Sequence, residues 1–251
     1  MSQEVKVHTV SKEILSNLID KRGEWAVKQY LHRWGTLNGV NVFWKFRKKH
    51  NRAYQEVMTH QFIADELKGI FELVKMETRM LYDPEELGNY GIELIWHENK
   101  GTVKMRHIMD EWVSDEALTE LLKISFFDGV LGSLDRHGNN VIVLNDNKLM
   151  TIDDEDIFYD HWDAENNKWN HWLKFDRDIR YMMYMHSIKP DVKTEMDNYV
   201  RRVLSRIPEI QLLVAEVKAL GFWTRPYDEL LLRNLERGEE IWSETVIQLL
   251  R

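Results

Sequence analysis

Apolar and polar positions alternate with a period of two along residues 24 to 46. EWAVKQYLHRW and VNVFWKF are rich in β-branched and aromatic residues and flank the turn-like GTLNG, which predicts a β-hairpin. The period then lengthens. In RAYQEVMTHQFIADELKGI, residues 52 to 70, Val57, Met58, Phe62, Ile63 and Leu67 recur at helical spacing, and Gly69 is placed to close an amphipathic helix. GIELIWHENKGTVKMRHIMD returns to strand character and predicts two strands around the turn ENKG, continuing the same antiparallel sheet. From residue 115 the period is helical again. SDEALTELLKISFFDGVLG opens on Ser114 as an N-cap with acidic residues behind it, and its apolar positions run through Leu118, Leu121, Leu122, Ile124, Phe127 and Val130.

Val141 to Val143 and Leu149 to Ile152 form two short apolar runs around LNDNK, which predicts a small hairpin. Beyond residue 188 the pattern is helical, in VRRVLSRIPEIQLLVAEVKALG and ELLLRNLERGEEIWSETVIQLL. The order is an α+β chain: residues 1–110 with strands and one helix, then residues 111–251, mostly helical. No repeat or Gly/Ser linker separates the two.

Composition narrows the function classes. A hydrophobic content of 43%, with 11% aromatic residues, is enough to bury a core in 251 residues. The net charge of −8 supplies no cationic excess for a phosphate backbone or an anionic membrane, so nucleic acid is not an expected partner. The N-terminal stretch lacks the basic and apolar regions of a signal peptide, and no segment approaches the roughly 18 apolar residues of a spanning helix, so the expectation is a cytoplasmic protein without an integral membrane anchor. The absence of cysteine leaves oxygen and imidazole groups to do the chemistry.

DRHGNN leads into the first strand of the small hairpin and DDED follows the second, so both polar clusters belong at one end of the ribbon. Asp135, Asn140 and Asp153 then form an all-oxygen set suited to a hard cation such as Mg²⁺, as phosphoryl transfer requires. The bland alternative is an Asx-rich turn.

DRHGNNVIV followed by LMTIDDEDIF resembles the catalytic loop and metal-binding strand of the atypical branch of the kinase superfamily, which includes phosphatidylinositol 3- and 4-kinases and HipA-like serine/threonine kinases. The resemblance implies a two-lobed protein-kinase-like fold: an antiparallel β N-lobe with one helix, and a mostly helical C-lobe. It implies that Asp135 is the catalytic aspartate, Asn140 the metal-binding asparagine and Asp153 the metal-binding aspartate. His137 assists proton transfer or stabilises the γ-phosphate, and Arg136 serves as a scaffold or acceptor contact. Upstream, Lys45 in VFWKF and Glu56 in the helix after it match the lysine and glutamate that hold the ATP phosphates. For both, an exposed surface position is the bland reading, and Glu66 is the exposed alternative on the same helix. The resemblance spans roughly residues 24 to 160.

The sequence departs from that pattern in three places. Asp154 and Glu155 follow Asp153, making Asp154 a rival metal ligand; Ser133 stands where asparagine or glycine is common; and Gly35 and Gly39 alone offer glycine cover over a nucleotide. HWDAENNKWNHW, residues 161 to 172, falls where an activation segment would receive an acceptor. The resulting expectation is an ATP- and Mg²⁺-dependent kinase acting on serine or threonine of a protein, with room for a regulatory protein partner. A nucleotide-binding pseudokinase scaffold and a metal-dependent phosphohydrolase are the alternatives.

Overall fold

The computed structural model describes residues 7–9, 30–37, 39–47, 52–83, 89–108, 115–134, 136–154, 156–159, 162–163, 168–169 and 190–250. The predicted N-terminal hairpin is formed by β2 (Tyr30–Leu37) and β3 (Val40–Arg47), paired from Tyr30 opposite Arg47 to Leu37 opposite Val40. Its two-residue connection carries Gly39 at φ 81°, the left-handed conformation that tight hairpins demand. With β1 (Val7–Thr9), β4 (Thr78–Asp83) and β5 (Asn89–Ile95) these strands make a five-stranded sheet, order β1-β4-β5-β3-β2, antiparallel except where β1 runs parallel to β4. Trp44 and Glu93 sit opposite each other in it, and the indole Nε1 donates to Glu93 Oε2 at 2.7 Å, satisfying a buried carboxylate. Lys45, the next residue, points to the other side, in register with Ile92 and Met80 of the core.

Helix α1 (Arg52–Ile70) packs against β4 and β5 of this sheet and also against the helix at Ile207–Ala219. The expected amphipathic stripe is replaced by burial nearly all round: Thr59, Gln61, Asp65 and Lys68 are buried along with Met58, Phe62, Ile63 and Leu67. A helix between two layers has no solvent face, so its polar side chains must find partners inside. It also runs past Gly69. Glu72 takes the left-handed turn at φ 53° and Leu73 N–H donates to Lys68 C=O at 2.9 Å, the bond pattern of a Schellman end.

The second strand predicted after β5 does not extend the five-stranded sheet. β6 (Asn99–Thr102) pairs with β7 (Val141–Leu144), which pairs with β8 (Leu149–Thr151) in a separate three-stranded sheet. VKMRHI, expected as strand, is helix α2 (Val103–Ile108). Gly101 at φ 102° breaks the extended run, and Thr102 Oγ1 accepts from Met105 N–H at 3.1 Å as an N-cap.

Helix α3 (Asp115–Leu131) is the axis of the helical lobe, packed by β8, α4 (Pro190–Ser205), α6 (Tyr227–Glu236) and α7 (Gly238–Leu250), while α5 (Ile207–Ala219) joins α4, α6 and α1. Tyr199 donates its hydroxyl to Phe71 C=O at 2.7 Å and Asn234 donates to Val130 C=O at 2.9 Å, so the helices are pinned to helix ends as well as packed on them. The core is continuous from Met80 and Ile92 of the sheet through α1 to Trp242 of α7. The two lobes share it. Of residues 161–172 only β9 (Trp162–Asp163) and β10 (Lys168–Trp169) are described, and residues 24–29 and Ser114 lie outside the described residues.

Candidate active site

The β7–β8 hairpin forms as its pattern predicts, with Val141, Ile142 and Val143 opposite Thr151, Met150 and Leu149. Ile152 N–H donates to Asn140 C=O at 3.0 Å, which ties the residue before Asp153 to the end of the DRHGNN loop. Gly138–Asn140 form one turn of 3-10 helix capped by His137, whose Nδ1 accepts from Asn139 N–H at 3.2 Å. In a neutral imidazole that bond puts the proton on Nε2, leaving a donor there. Asn140 is buried. Asp135 lies outside the described residues, between Leu134 and Arg136.

Arg136 shows what organises this loop. Its Nε and Nη2 donate to the two oxygens of Asp128 on α3, Nη2 also to Asp154, and Nη1 to the carbonyls of Asn140 and Ile152, both at 3.2 Å. All five N–H groups of the guanidinium are used, a complement only arginine supplies. Of the two roles implied by the resemblance, this geometry is a scaffold. Lys68 does the same from α1: its ammonium reaches Asp65 Oδ1 at 2.5 Å, Asp154 Oδ2 at 2.5 Å and Thr151 C=O at 3.0 Å. Gln61 donates to the remaining oxygen of Asp65 at 2.8 Å.

Three carboxylates and two cations are thus enclosed together. Burial pushes Asp65 and Asp128 up to about 6 each, against the pull of Lys68 and Arg136 respectively. Asp154 behaves oppositely. Burial would raise it too, but Lys68 and Arg136 on its two oxygens outweigh that and hold its carboxyl well below the usual range. The same contacts keep Lys68 and Arg136 charged despite their burial. Asp65, Lys68 and Asp128 carry no motif. The available signal is charge inside apolar runs, FFDGV for Asp128 and FIADELKG for the other two, but the contact that joins them into one cluster, Lys68 to Asp154, spans 86 positions.

The tandem aspartates therefore separate. Asp154 is 1% exposed, with both oxygens occupied by Lys68, Arg136 and Thr151 Oγ1. Asp153 has a side chain 54% exposed, stands at φ 61°, and accepts from Lys45 Nζ at 3.1 Å across the lobes. Asp153 is the member of the pair open to a ligand. Its carboxylate, with the Asn140 side chain one backbone hydrogen bond away, is an oxygen donor set of the kind Mg²⁺ takes when phosphates and water complete its shell. Among the described residues no group of three His, Asp or Glu side chains is placed to hold a metal by protein ligands alone.

Glu56, expected beside Lys45, is placed otherwise. It is 7% exposed; Oε2 accepts from Thr224 Oγ1 at 2.7 Å, and Oε1 is buried with no hydrogen-bond partner among the described residues. The phenol of Tyr227 is raised to about 12, by burial first and then by the Glu56 carboxylate beside it. Lys45 instead meets the carboxylate of Asp153.

The segment after the aspartates is laced to the stretch that precedes Arg136: Leu134 N–H donates to Asp156 C=O, Phe158 N–H to Leu131 C=O and Tyr159 N–H to Gly132 C=O, at 3.0, 2.7 and 3.1 Å. A Cβ on Gly132 would lie 2.2 Å from Tyr159 O, so only glycine permits the approach. No described helix is long and apolar enough to cross a membrane.

No family model matches the sequence, and no curated protein matches it at a significant level. The fold is similar to that of a solved structure, the Helicobacter pylori proinflammatory kinase CtkA, with a TM-score of 0.57 at 15% identity over 92% of this chain and 95% of that one. The chain has a two-lobed, α+β, kinase-like fold.

Proposed function

We propose that this protein is an ATP- and Mg²⁺-dependent kinase that transfers the γ-phosphate to a hydroxyl, most simply a serine or threonine of a protein. The observation that carries this is the meeting of Lys45 and Asp153 at 3.1 Å, drawn from opposite lobes beside the Asn140 loop while Asp154 is locked away. A buried-side lysine facing an exposed aspartate at a lobe junction is the arrangement that takes phosphate and metal between them. The likeness to a solved kinase supports the same reading at the level of fold.

Under this reading Asn140 and Asp153 would hold Mg²⁺, which when bound offsets the negative charge of the phosphates. Lys45 exchanges its contact with Asp153 for the α- and β-phosphates. Asp135 orients the acceptor hydroxyl and takes its proton, and His137 offers its Nε2–H to a phosphate oxygen. Positioning the hydroxyl at about 3 Å from the phosphorus supplies much of the rate. Arg136 contributes indirectly, by fixing the carbonyls of Asn140 and Ile152. The acidic chain, with net charge −8, favours a protein acceptor over a lipid at an anionic membrane.

The test is incubation with γ-labelled ATP and Mg²⁺, alone and with cell lysate, beside Asp135→Ala, Asp153→Asn and Lys45→Met. Label on this protein or a lysate protein, absent from all three variants, is the expected result. Nucleotide binding without transfer would identify a pseudokinase. Free phosphate released equally by Lys45→Met would identify a phosphohydrolase.

A further inference from the structure

A cleft of about 410 Å³ opens beside the catalytic loop, between α1, the segment after the tandem aspartates and the connection leading into α6. Its lining includes Glu56, His60, Asp156, Phe158, Tyr159 and Tyr227. Thr224 fixes one oxygen of Glu56, and the other is buried without a hydrogen-bond partner among the described residues. The groups that meet this carboxylate, the Thr224 hydroxyl and the Tyr227 phenol, are neutral, so a cation entering the cleft is favoured there over a neutral donor.

The walls select the donor. Phe158 and Tyr227 are stacked with centroids 5.2 Å apart, and His60 meets both edge-on at 4.9 and 4.7 Å. Tyr159, 43% exposed, stands at the mouth. Asp156 and Arg225 are exposed lining residues of opposite sign, so the net charge of the cleft is set by buried Glu56. A cation is drawn to aromatic surface as well as to the carboxylate, and an alkyl stem can lie along the outer apolar surface of the rings. Phe158 is moreover held at φ 67°, a conformation a bulky residue rarely adopts, which keeps its ring in this wall.

Location ties the cleft to transfer. Asp156, Phe158 and Tyr159 are each hydrogen-bonded through the backbone to residues 131–134, immediately before Asp135. We propose that the cleft receives the ammonium or guanidinium of a lysine or arginine side chain of the acceptor protein, setting the register of its serine or threonine at the catalytic loop. This inference rests on the phosphotransfer reading above. A free organic polycation shares the same chemistry and is the competing source.

Two arms separate them. In the first, without nucleotide, N-acetyl-arginine amide and N-acetyl-lysine amide are titrated onto the full chain, with N-acetyl-citrulline amide as the neutral control, following the Trp indole signals by NMR. Binding by the cations, absent with citrulline and weakened at least about tenfold in Glu56→Gln, is expected from loss of one charge-assisted hydrogen bond. Tyr159→Ala, at an exposed position, should weaken it too and guards against a folding defect in the first variant. Citrulline binding equally well, or cations binding Glu56→Gln unchanged, overturns the proposal. In the second arm, a degenerate Ser/Thr peptide library is phosphorylated with labelled ATP. Enrichment of Lys or Arg at one fixed offset, lost in Glu56→Gln, is expected. Phosphorylation without basic preference overturns the acceptor role and, where the amides bind, assigns the cleft to a free polycation. Amide binding with no phosphorylation of any substrate removes the kinase reading while the cation site stands.

Discussion

Replacing Arg136 with lysine keeps the charge and removes the fork, so it isolates what the guanidinium geometry does. Arg136 donates five hydrogen bonds, to both oxygens of Asp128, to Asp154 and to the carbonyls of Asn140 and Ile152. A lysine ammonium has three donors at one point, and it cannot span acceptors on α3, on the loop and beyond β8 together. At least two buried acceptors lose their partner, at about 1–3 kcal/mol each, so Arg136→Lys should destabilise the fold by about 2–6 kcal/mol. Urea unfolding should show the midpoint falling with the slope unchanged, against a total stability of about 5–15 kcal/mol. The parallel control is Lys218→Met, which removes a surface pair with Asp228 and should leave the midpoint almost unchanged. Because the acceptors at risk include the carbonyls flanking Asn140 and Asp153, labelled phosphate transfer by Arg136→Lys should fall further than its unfolded fraction explains. A midpoint shift equivalent to less than about 0.5 kcal/mol would sink the argument, since the fork would then not be what holds the loop.

Lys68→Met should cost about 3–5 kcal/mol, because Asp65 and Asp154 are left buried against each other, and adding Asp65→Leu should restore much of it; equal urea midpoints for single and double variants would contradict this. The pH profile follows from signs. Asp65 and Asp128 are raised from 3.8 to about 6, so the folded state binds more protons than the unfolded chain between those values, and their contribution to stability declines as pH rises through that window. Asp154, depressed, contributes in the opposite sense: its share is present above 3.8 and is lost only on stronger acidification. Urea midpoints measured from pH 4 to 7.5 should therefore decline toward neutral pH, and Asp65→Asn should flatten the decline. Gly132→Ala should destabilise by more than about 1 kcal/mol, since φ is 65° and the new methyl meets the Tyr159 backbone; a neutral midpoint would mean that segment yields freely.

What was legible in the sequence is what neighbouring residues determine together. The β7–β8 hairpin follows from two apolar runs around a polar turn, and α1 and α3 from helical spacing. β6 falls in the stretch ENKG, which reads as a turn in isolation, because its pairing partner, Val141–Leu144, is some forty residues on and its end is set by the Thr102 cap. The burial of α1 was equally invisible. Its polar residues resemble a solvent face until Lys68 is seen to reach Thr151 and Asp154, separated from it by 83 and 86 positions. Motif order puts Lys45, Glu56 and Asp153 in one site; the structure has Lys45 and Asp153 in contact at 3.1 Å, whereas Glu56 meets Thr224, 168 positions away.

The adjacent aspartates show how a backbone conformation distributes chemistry that side-chain identity leaves open. Asp153 and Asp154 are the same residue type, one peptide apart, and nothing in composition ranks them. Had the chain continued extended past β8, successive side chains would have faced opposite ways by the strand period alone, and register would have chosen the exposed one. The strand instead stops at Thr151, and Asp153 enters the left-handed region at φ 61°, which aspartate tolerates better than most residues. That turn frees its carboxylate toward Lys45 and delivers the next one into the space between Lys68 and Arg136. The buried member fixes the loop, α1 and α3 to one another; the exposed member is left to bind. Asp153→Asn should thus abolish transfer at nearly unchanged stability, and Asp154→Asn should destabilise by about 3–5 kcal/mol, because each cation loses half of its compensation in a closed site. Urea midpoints and labelled transfer measured on both variants distinguish the roles, and equal stability losses in the two would show that the pair shares one role after all.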